Sequence, residues 1–191
     1  MKKSGGKEIK NKIAVFISGR GSNLRSIIKY STKKKSSYRV ELVISNKKNA
    51  KGLLLAKKKA IKNRSINFTE SKKLTDIVLN LLKKNHIKLV CLAGFMKILP
   101  VYFIKSFKGK IINIHPSLLP KYKGLHAVEQ ALKAGEEETG CTVHFVNEFL
   151  DSGAIIKQQV VPILPGDTVE SLTRAIQQAE HSLLPSVINA F

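Results

Sequence analysis

The sequence predicts a single α/β domain with a mostly parallel sheet flanked by helices, and three observations predict it. Short apolar runs stop abruptly at glycine or proline, as strands buried on both faces do. Segments with apolar residues at helical spacing separate these runs, so strand and helix alternate from Lys12 to Asn113. At 191 residues the chain can bury one well-formed core, and no linker, repeat or low-complexity block divides it.

Residues 1–11 are basic, glycine-containing and aperiodic, and are expected to form a disordered tail before a domain spanning 12–191. Residues 12–18 read as the first buried strand, and 22–30 as a helix through Leu24, Ile27 and Ile28. Residues 40–44 follow as a strand, 50–60 as a helix and 65–68 as a short strand. Leu74, Ile77, Val78, Leu81 and Leu82 mark one face of an amphipathic helix. Residues 89–93 and 110–113 complete the alternation, with right-handed crossovers. The pattern then changes. Residues 142–146 and 155–161 alternate across a loop, which predicts an antiparallel or mixed portion. Residues 168–189 close the chain as a helix, with Asp167-Thr168-x-Glu170 supplying an N-cap and an acidic first turn.

Composition narrows the function classes. Apolar residues make up 43%, and no run approaches the ~18 needed to span a bilayer. The first residues lack an apolar run behind their lysines, unlike a secretory signal. Cys91 and Cys141 lie far apart in strand-like runs and read as buried thiols of a reduced compartment, so a cytoplasmic address is expected. His86, His115, His126, His144 and His181 are scattered, so no metal is expected.

The net charge of +21 raises a nucleic-acid partner. Against it, the lysines are dispersed over the first two-thirds, and aromatic residues, at 6%, do not interleave with them. Acidic residues gather at Glu136, Glu137 and Glu138. A lysine-rich solvated surface is the favoured reading, with no specific nucleic-acid partner and no membrane. Such a field would still help to collect anionic substrates.

The chemistry concentrates in the run Ile111-Ile112-Asn113-Ile114-His115-Pro116. Asn113 and His115 are two apart, so both side chains aim at one face of a strand end. An amide and an imidazole there can polarise a carbonyl oxygen, although a strand end with a hydrogen-bonded histidine reads the same way. Leu150-Asp151-Ser152-Gly153 adds a carboxylate on a loop. Ser18-Gly19-Arg20-Gly21-Ser22-Asn23 joins the first strand to the first helix. It is neither a dinucleotide fingerprint, since Leu24 stands at the third glycine position, nor a Walker A loop. The amides of Gly21, Ser22 and Asn23 at a helix start suit an anion, and a plain tight turn is the alternative. Residues 94–100 read as core by periodicity alone. His126 and His144 read as structural or as orienting groups behind the site, and a lone helical glutamate such as Glu180 is usually on a solvated face.

Asn-x-His-Pro-Ser-Leu-Leu-Pro at 113–120 with Gly124, then Gly-Cys-Thr-Val-His-Phe-Val at 140–146 leading to Leu150-Asp151-x-Gly153, resembles the folate-dependent formyltransferases. The resemblance covers nearly the whole chain, and Ser18-Gly19-Arg20-Gly21-Ser22-Asn23-Leu24 narrows it to members acting on 5′-phosphoribosylglycinamide in purine synthesis. It implies a Rossmann-like formyltransferase fold, 10-formyltetrahydrofolate as co-substrate and no metal. His115, protonated, and Asn113 would donate to a tetrahedral oxyanion. Asp151 would favour the charged imidazole and hold a water that relays the proton. Gly21, Ser22 and Asn23 would cradle the phosphate, while Gln177 and Glu180 reach the ribose and amine. Met96, Lys97, Ile98, Leu99 and Asn113 would border the folate, the backbone of 96–99 bonding the pterin.

The chain departs from the family in places. Lys97 replaces an arginine, and Thr69-Glu70-Ser71-Lys72-Lys73 stands where the family has an arginine before the third helix. Lys72 or Lys73 would offer a point charge without the bidentate fork. Relatives often continue past the equivalent of Phe191. Sister enzymes share Asn113, His115 and Asp151, so a methionyl-tRNA formyltransferase-like catalytic module is the alternative. That enzyme carries an additional C-terminal barrel, and the deformylase an N-terminal domain, neither of which is expected here. The expected partners are two small molecules, and the expected state is monomer or homodimer.

Overall fold

A computed structural model describes residues 10–67 and 71–191. The elements run β1 (Asn11–Ile17), α1 (Ser22–Ser31), β2 (Tyr38–Ser45), α2 (Lys51–Lys58), β3 (Lys62–Ser65) and α3 (Lys72–Lys84). They continue with β4 (Leu89–Leu92), α4 (Val101–Ser106), β5 (Lys110–His115) and α5 (Ala127–Lys133). The chain closes with β6 (Glu138–Phe145), β7 (Ile155–Pro162) and α6 (Val169–Ile188). All seven strands form one sheet in the order β3-β2-β1-β4-β5-β6-β7. β1 to β5 pair in parallel, and β6 and β7 add antiparallel strands at one edge.

The central parallel strands, β1 and β4 above all, are apolar on both sides because helices cover both faces. In β1, Ile13, Val15 and Ile17 join the core shared with Leu24 and Ile27 of α1 and with Leu172 and Ile176 of α6. Ala14 and Phe16, pointing the other way, pack with Val78 and Leu82 of α3 and with Phe103 of α4. Each of these buried Val, Leu, Ile and Phe side chains contributes about 1.5–3 kcal/mol. Strand order reverses between β1 and β4, where the loops leaving the two carboxyl ends part to opposite faces and open a crevice.

Several expectations shift. The first strand starts at Asn11, inside the stretch expected to be tail, and Lys10 Nζ donates to the carbonyls of Ser31 and Lys33. Residues 1–9 of that stretch lie outside the described residues, as does Phe68. The third strand is Lys62–Ser65 rather than 65–68, because it pairs with Leu42–Ser45 of β2 as an exposed edge strand. Its Lys-Asn-Arg-Ser sequence carries no apolar signal. The short helices α4 and α5 were not expected; six and seven residues are too few for a clear period. In α6 Thr168 is the N-cap and Glu170 lies in the first turn, as expected, and Ser171 closes a reciprocal capping box with Thr168.

Candidate active site

Ile112 and Ile114 of β5 belong to the core under α1 and α6, so Asn113 and His115 face the other way, as period two requires. Asp151, in the loop between β6 and β7, meets both. Its Oδ2 accepts from the Gly124 amide at 2.9 Å and lies 3.2 Å from His115 Nδ1. Its Oδ1 accepts from Asn113 Nδ2 at 3.3 Å. Burial by itself would raise the Asp151 pKa. The His144 hydrogen bond, the Gly124 amide and the charges of His115 and His144 outweigh it and hold the carboxyl below its ordinary value. Asp151 is held at φ 44, a backbone conformation that side chains other than glycine seldom adopt. His115 Nε2 lies 2.7 Å from the Tyr122 carbonyl. Both ring nitrogens of His115 therefore face oxygen acceptors, which the doubly protonated imidazole satisfies.

His144 joins this cluster from behind, as one of the two roles expected of it, by orienting Asn113 and Asp151. The antiparallel register of β5 and β6 sets Asn113 opposite His144. His144 Nε2 lies 3.2 Å from Asn113 Nδ2 and 3.5 Å from Asp151 Oδ1. Its Nδ1 is 2.8 Å from the Phe145 carbonyl, to which a protonated Nδ1 donates, while Nε2 stands between the Asn113 amide and the Asp151 carboxylate. His126, by contrast, caps α5 on the surface, 3.5 Å from Glu129.

A cavity of about 410 Å³ fills the crevice at the strand reversal, between the loop after β1 and the face of α6. It touches β5 through Ile114 and the residue just past its end, Pro116, and is lined on other sides by Gly21, Asn23, Gln177 and Glu180. Gly21 has φ 77, and a Cβ on it would sit 3.0 Å from the Gly52 Cα, so both the turn and the approach of α2 demand glycine. The α1 ladder begins with Arg25 N–H to the Gly21 carbonyl. The earlier amides of that turn have no intrahelical acceptor and sit at the positive end of the helix dipole.

The Asn23 side chain does not point at an anion. Its Nδ2 donates to Glu180 Oε2 at 2.8 Å, which narrows any phosphate contact to its backbone amide. Glu180 is 7% exposed rather than on a solvated face, and burial pushes its carboxyl up to about 7 against the lowering hydrogen bond from Asn23. Lys47 also lines the cavity, and sequence reasoning passed over it. Its position just past the carboxyl end of β2 was the available signal.

Ser18 ties the two sides of the crevice together. Its Oγ donates to Asn46 Oδ1 at 2.6 Å and accepts the Met96 amide at 2.7 Å. The Met96 N–H is thus engaged by Ser18, just past β1, rather than free for a ligand. Of the five residues expected to border a folate, Met96, Lys97 and Ile98 are exposed, Leu99 is buried with Phe95 and Phe103, and Asn113 lies in the cluster around Asp151. Lys72 opens α3 with Nζ 5.5 Å from the Tyr102 ring centre; Thr69 and Glu70 lie outside the described residues.

These features define a doubly wound α/β protein with a ligand cavity at its switch point and an Asn–His–Asp cluster at the adjoining strand end. The formyl transferase family pattern matches residues 11–188. Phosphoribosylglycinamide formyltransferase of Haemophilus influenzae is 44% identical over 183 residues, covering 94% of this chain and 86% of that protein. The human trifunctional purine biosynthetic protein adenosine-3 is 46% identical over 185 residues, which cover 94% of this chain and 18% of that protein. The chain thus spans less than a fifth of its trifunctional relatives. The crystal structure of phosphoribosylglycinamide formyltransferase from Brucella melitensis aligns with a TM-score of 0.90 at 38% identity, over 96% of each chain. That from Anaplasma phagocytophilum aligns at 0.88 and 44% identity, over 95% of this chain and 86% of that one. The chain belongs to the formyl transferase family.

Proposed function

We propose that the chain transfers the formyl group of 10-formyltetrahydrofolate to the amine of 5′-phosphoribosylglycinamide, a step of purine synthesis. The observation that carries this reading is the convergence of Asn113, His115 and His144 on Asp151 beside a cavity whose far wall is a helix start. The phosphate rests on the amides of Gly21, Ser22 and Asn23, and Gln177 and Glu180 face the ribose and amine. The folate lies along Met96, Lys97, Ile98 and Leu99 and reaches Asn113.

The amine attacks the formyl carbon, and the carbonyl electrons move onto oxygen as a tetrahedral oxyanion. His115 Nε2–H and Asn113 Nδ2–H turn to that oxygen, each donor lowering the barrier by about 3 kcal/mol. Asp151 holds a water that takes the proton from the attacking nitrogen and passes it to folate N10 as the carbon–N10 bond breaks. The substrates are small molecules. The buried free thiols Cys91 and Cys141 support a cytoplasmic setting, and the protein works as a monomer or homodimer. Among the described residues no helix is long and apolar enough to cross a membrane.

The net charge of +21 favours one other acceptor, a methionyl-tRNA. Calorimetric titration with 5′-phosphoribosylglycinamide and, separately, with methionyl initiator tRNA decides between them. Saturable binding of the nucleotide, with turnover on adding 10-formyltetrahydrofolate, is expected. Formylation of the tRNA without any of the nucleotide would sink the reading.

A further inference from the structure

Glu180 stands out in a chain with 34 cationic and 13 acidic residues, because its carboxyl is buried without a cation. Among the described residues its one hydrogen bond comes from Asn23 Nδ2, at 2.8 Å to Oε2, and no protein donor reaches Oε1. Asn23 Oδ1 is itself buried and without a partner. An unmet buried acceptor costs about 1–3 kcal/mol, so the carboxylate form leaves the pair unsatisfied. If Glu180 is instead protonated, the Asn23 amide can turn over. The carboxylic acid then donates to Oδ1, and Nδ2 becomes the unmet group. Each protonation state leaves one atom of the amide without a partner, so the protein alone decides weakly between them.

The groups facing Glu180 do not change this balance. From α1 comes Asn23, which is neutral. From β6 comes Cys141, whose thiol burial pushes up to about 12, with a lesser contribution from Glu180. From α5 comes the apolar Val128, and Glu129 on that helix is paired with Lys133. From β7, Gln159 bonds Ser182 on α6. Within α6, His181 follows with its pKa lowered by burial, and Gln177 lines the cavity one turn earlier. Arg20 and Lys47, both exposed, lie in the cavity lining.

We infer that Glu180 gives up a proton when the nucleotide binds, and that Asn23 is the positioning residue that governs this proton through the two orientations of its amide. The inference rests on the proposed nucleotide acceptor. Ribose hydroxyls or the ligand's amine are donors that Oε1 lacks, and they select the carboxylate. An ionised Glu180 then draws Asn23 Nδ2 toward it and fixes the start of α1, whose amides meet the phosphate. Below neutral pH the acid form prevails, and the same donors meet a group that no longer accepts them well. The nucleotide affinity therefore falls with pH, while that of the folate does not follow.

Two measurements test this. Carbon NMR of glutamate-labelled, ligand-free protein should show one carboxyl titrating near pH 7, absent in Glu180→Gln and moved to higher pH in Asn23→Ala. Titration of that carboxyl near the ordinary value of about 4.3, or at an unchanged pH in Asn23→Ala, overturns the inference. Calorimetry with 5′-phosphoribosylglycinamide in two buffers of different ionisation enthalpy should show release of about half a proton at pH 7 from the wild type and less from Glu180→Gln. Below the inflection the wild-type Kd should weaken by up to about tenfold per pH unit beyond any change in Glu180→Gln, which cancels the ligand's own titration. Identical pH profiles in wild type and Glu180→Gln overturn the inference and leave the proposed reaction standing. No nucleotide binding at any pH overturns both.

Discussion

Replacing Asp151 with asparagine should abolish turnover while leaving the nucleotide bound. In the structure the carboxylate gathers the Gly124 amide at 2.9 Å, His115 Nδ1 at 3.2 Å, Asn113 Nδ2 at 3.3 Å and His144 Nε2 at 3.5 Å. An amide of the same shape keeps one accepting oxygen and places an NH₂ against donors that have nowhere to turn. Misdirecting one oxyanion donor costs about a hundredfold or more, and losing the proton relay about another hundredfold, so kcat should fall by about 10⁴. The phosphate end of the cavity lies under α1 and α6, on the other face of the sheet from Asp151, so the nucleotide Kd should move by less than about threefold. Steady-state turnover at saturation by both substrates, with calorimetric Kd values, gives both numbers. More than about a tenth of wild-type turnover would refute the assigned role, since it leaves only ~1.4 kcal/mol for the carboxylate. The same substitution has a pH signature in stability. The folded Asp151 pKa is depressed, so its contribution is present above the unfolded value of about 3.9 and is lost as pH falls through the folded value. The gap in unfolding free energy between wild type and Asp151→Asn should therefore narrow below about pH 4.

His115→Ala should also lose at least about a hundredfold in kcat with nucleotide binding nearly intact; retained turnover would remove the imidazole from the reaction. Gly21→Val should raise the nucleotide KM far more than the folate KM. Because φ is 77 and a Cβ meets the Gly52 backbone at 3.0 Å, it should also lower Tm, and equal losses for both substrates would reduce the turn to a structural part. Phe16→Ala, emptying a fully buried ring site, should cost about 3–5 kcal/mol in denaturant unfolding; under 1 kcal/mol would mean that the core closes over the gap. Binding to RNA or DNA should be weak, steeply salt-dependent and without sequence preference. A sequence-specific complex at physiological salt would revive the tRNA acceptor.

The parallel half of the fold was legible because each strand is a short apolar run and each long helix carries a clean stripe. What escaped had no such stripe. Lys62–Ser65 is a strand only because β2 offers it an edge, and α4 and α5 are too short to show a period. Asn113 and His115 could be placed together because they share one strand face. His144 could not, since its closeness to Asn113 follows from an antiparallel register fixed across a connection of more than twenty residues that includes α5. Glu180 could be singled out only through the family resemblance, because a lone helical glutamate looks solvated until α1 is seen packed over its helix.

The loop bearing Tyr122 is fastened by Glu136, which takes hydrogen bonds from Lys121 Nζ and Tyr122 Oη, and by Ser117 Oγ to the Lys121 carbonyl. It thereby holds the Tyr122 carbonyl 2.7 Å from His115 Nε2. Under the proposed reaction, a formyl carbonyl arriving there swaps one neutral oxygen for another, an exchange close to even in free energy. Once attack places a negative charge on that oxygen, the backbone carbonyl can no longer compete for the proton. The resident peptide oxygen thus cancels the imidazole's gain from the neutral substrate but only part of its gain from the oxyanion, so the attraction acts chiefly on the species along the reaction path.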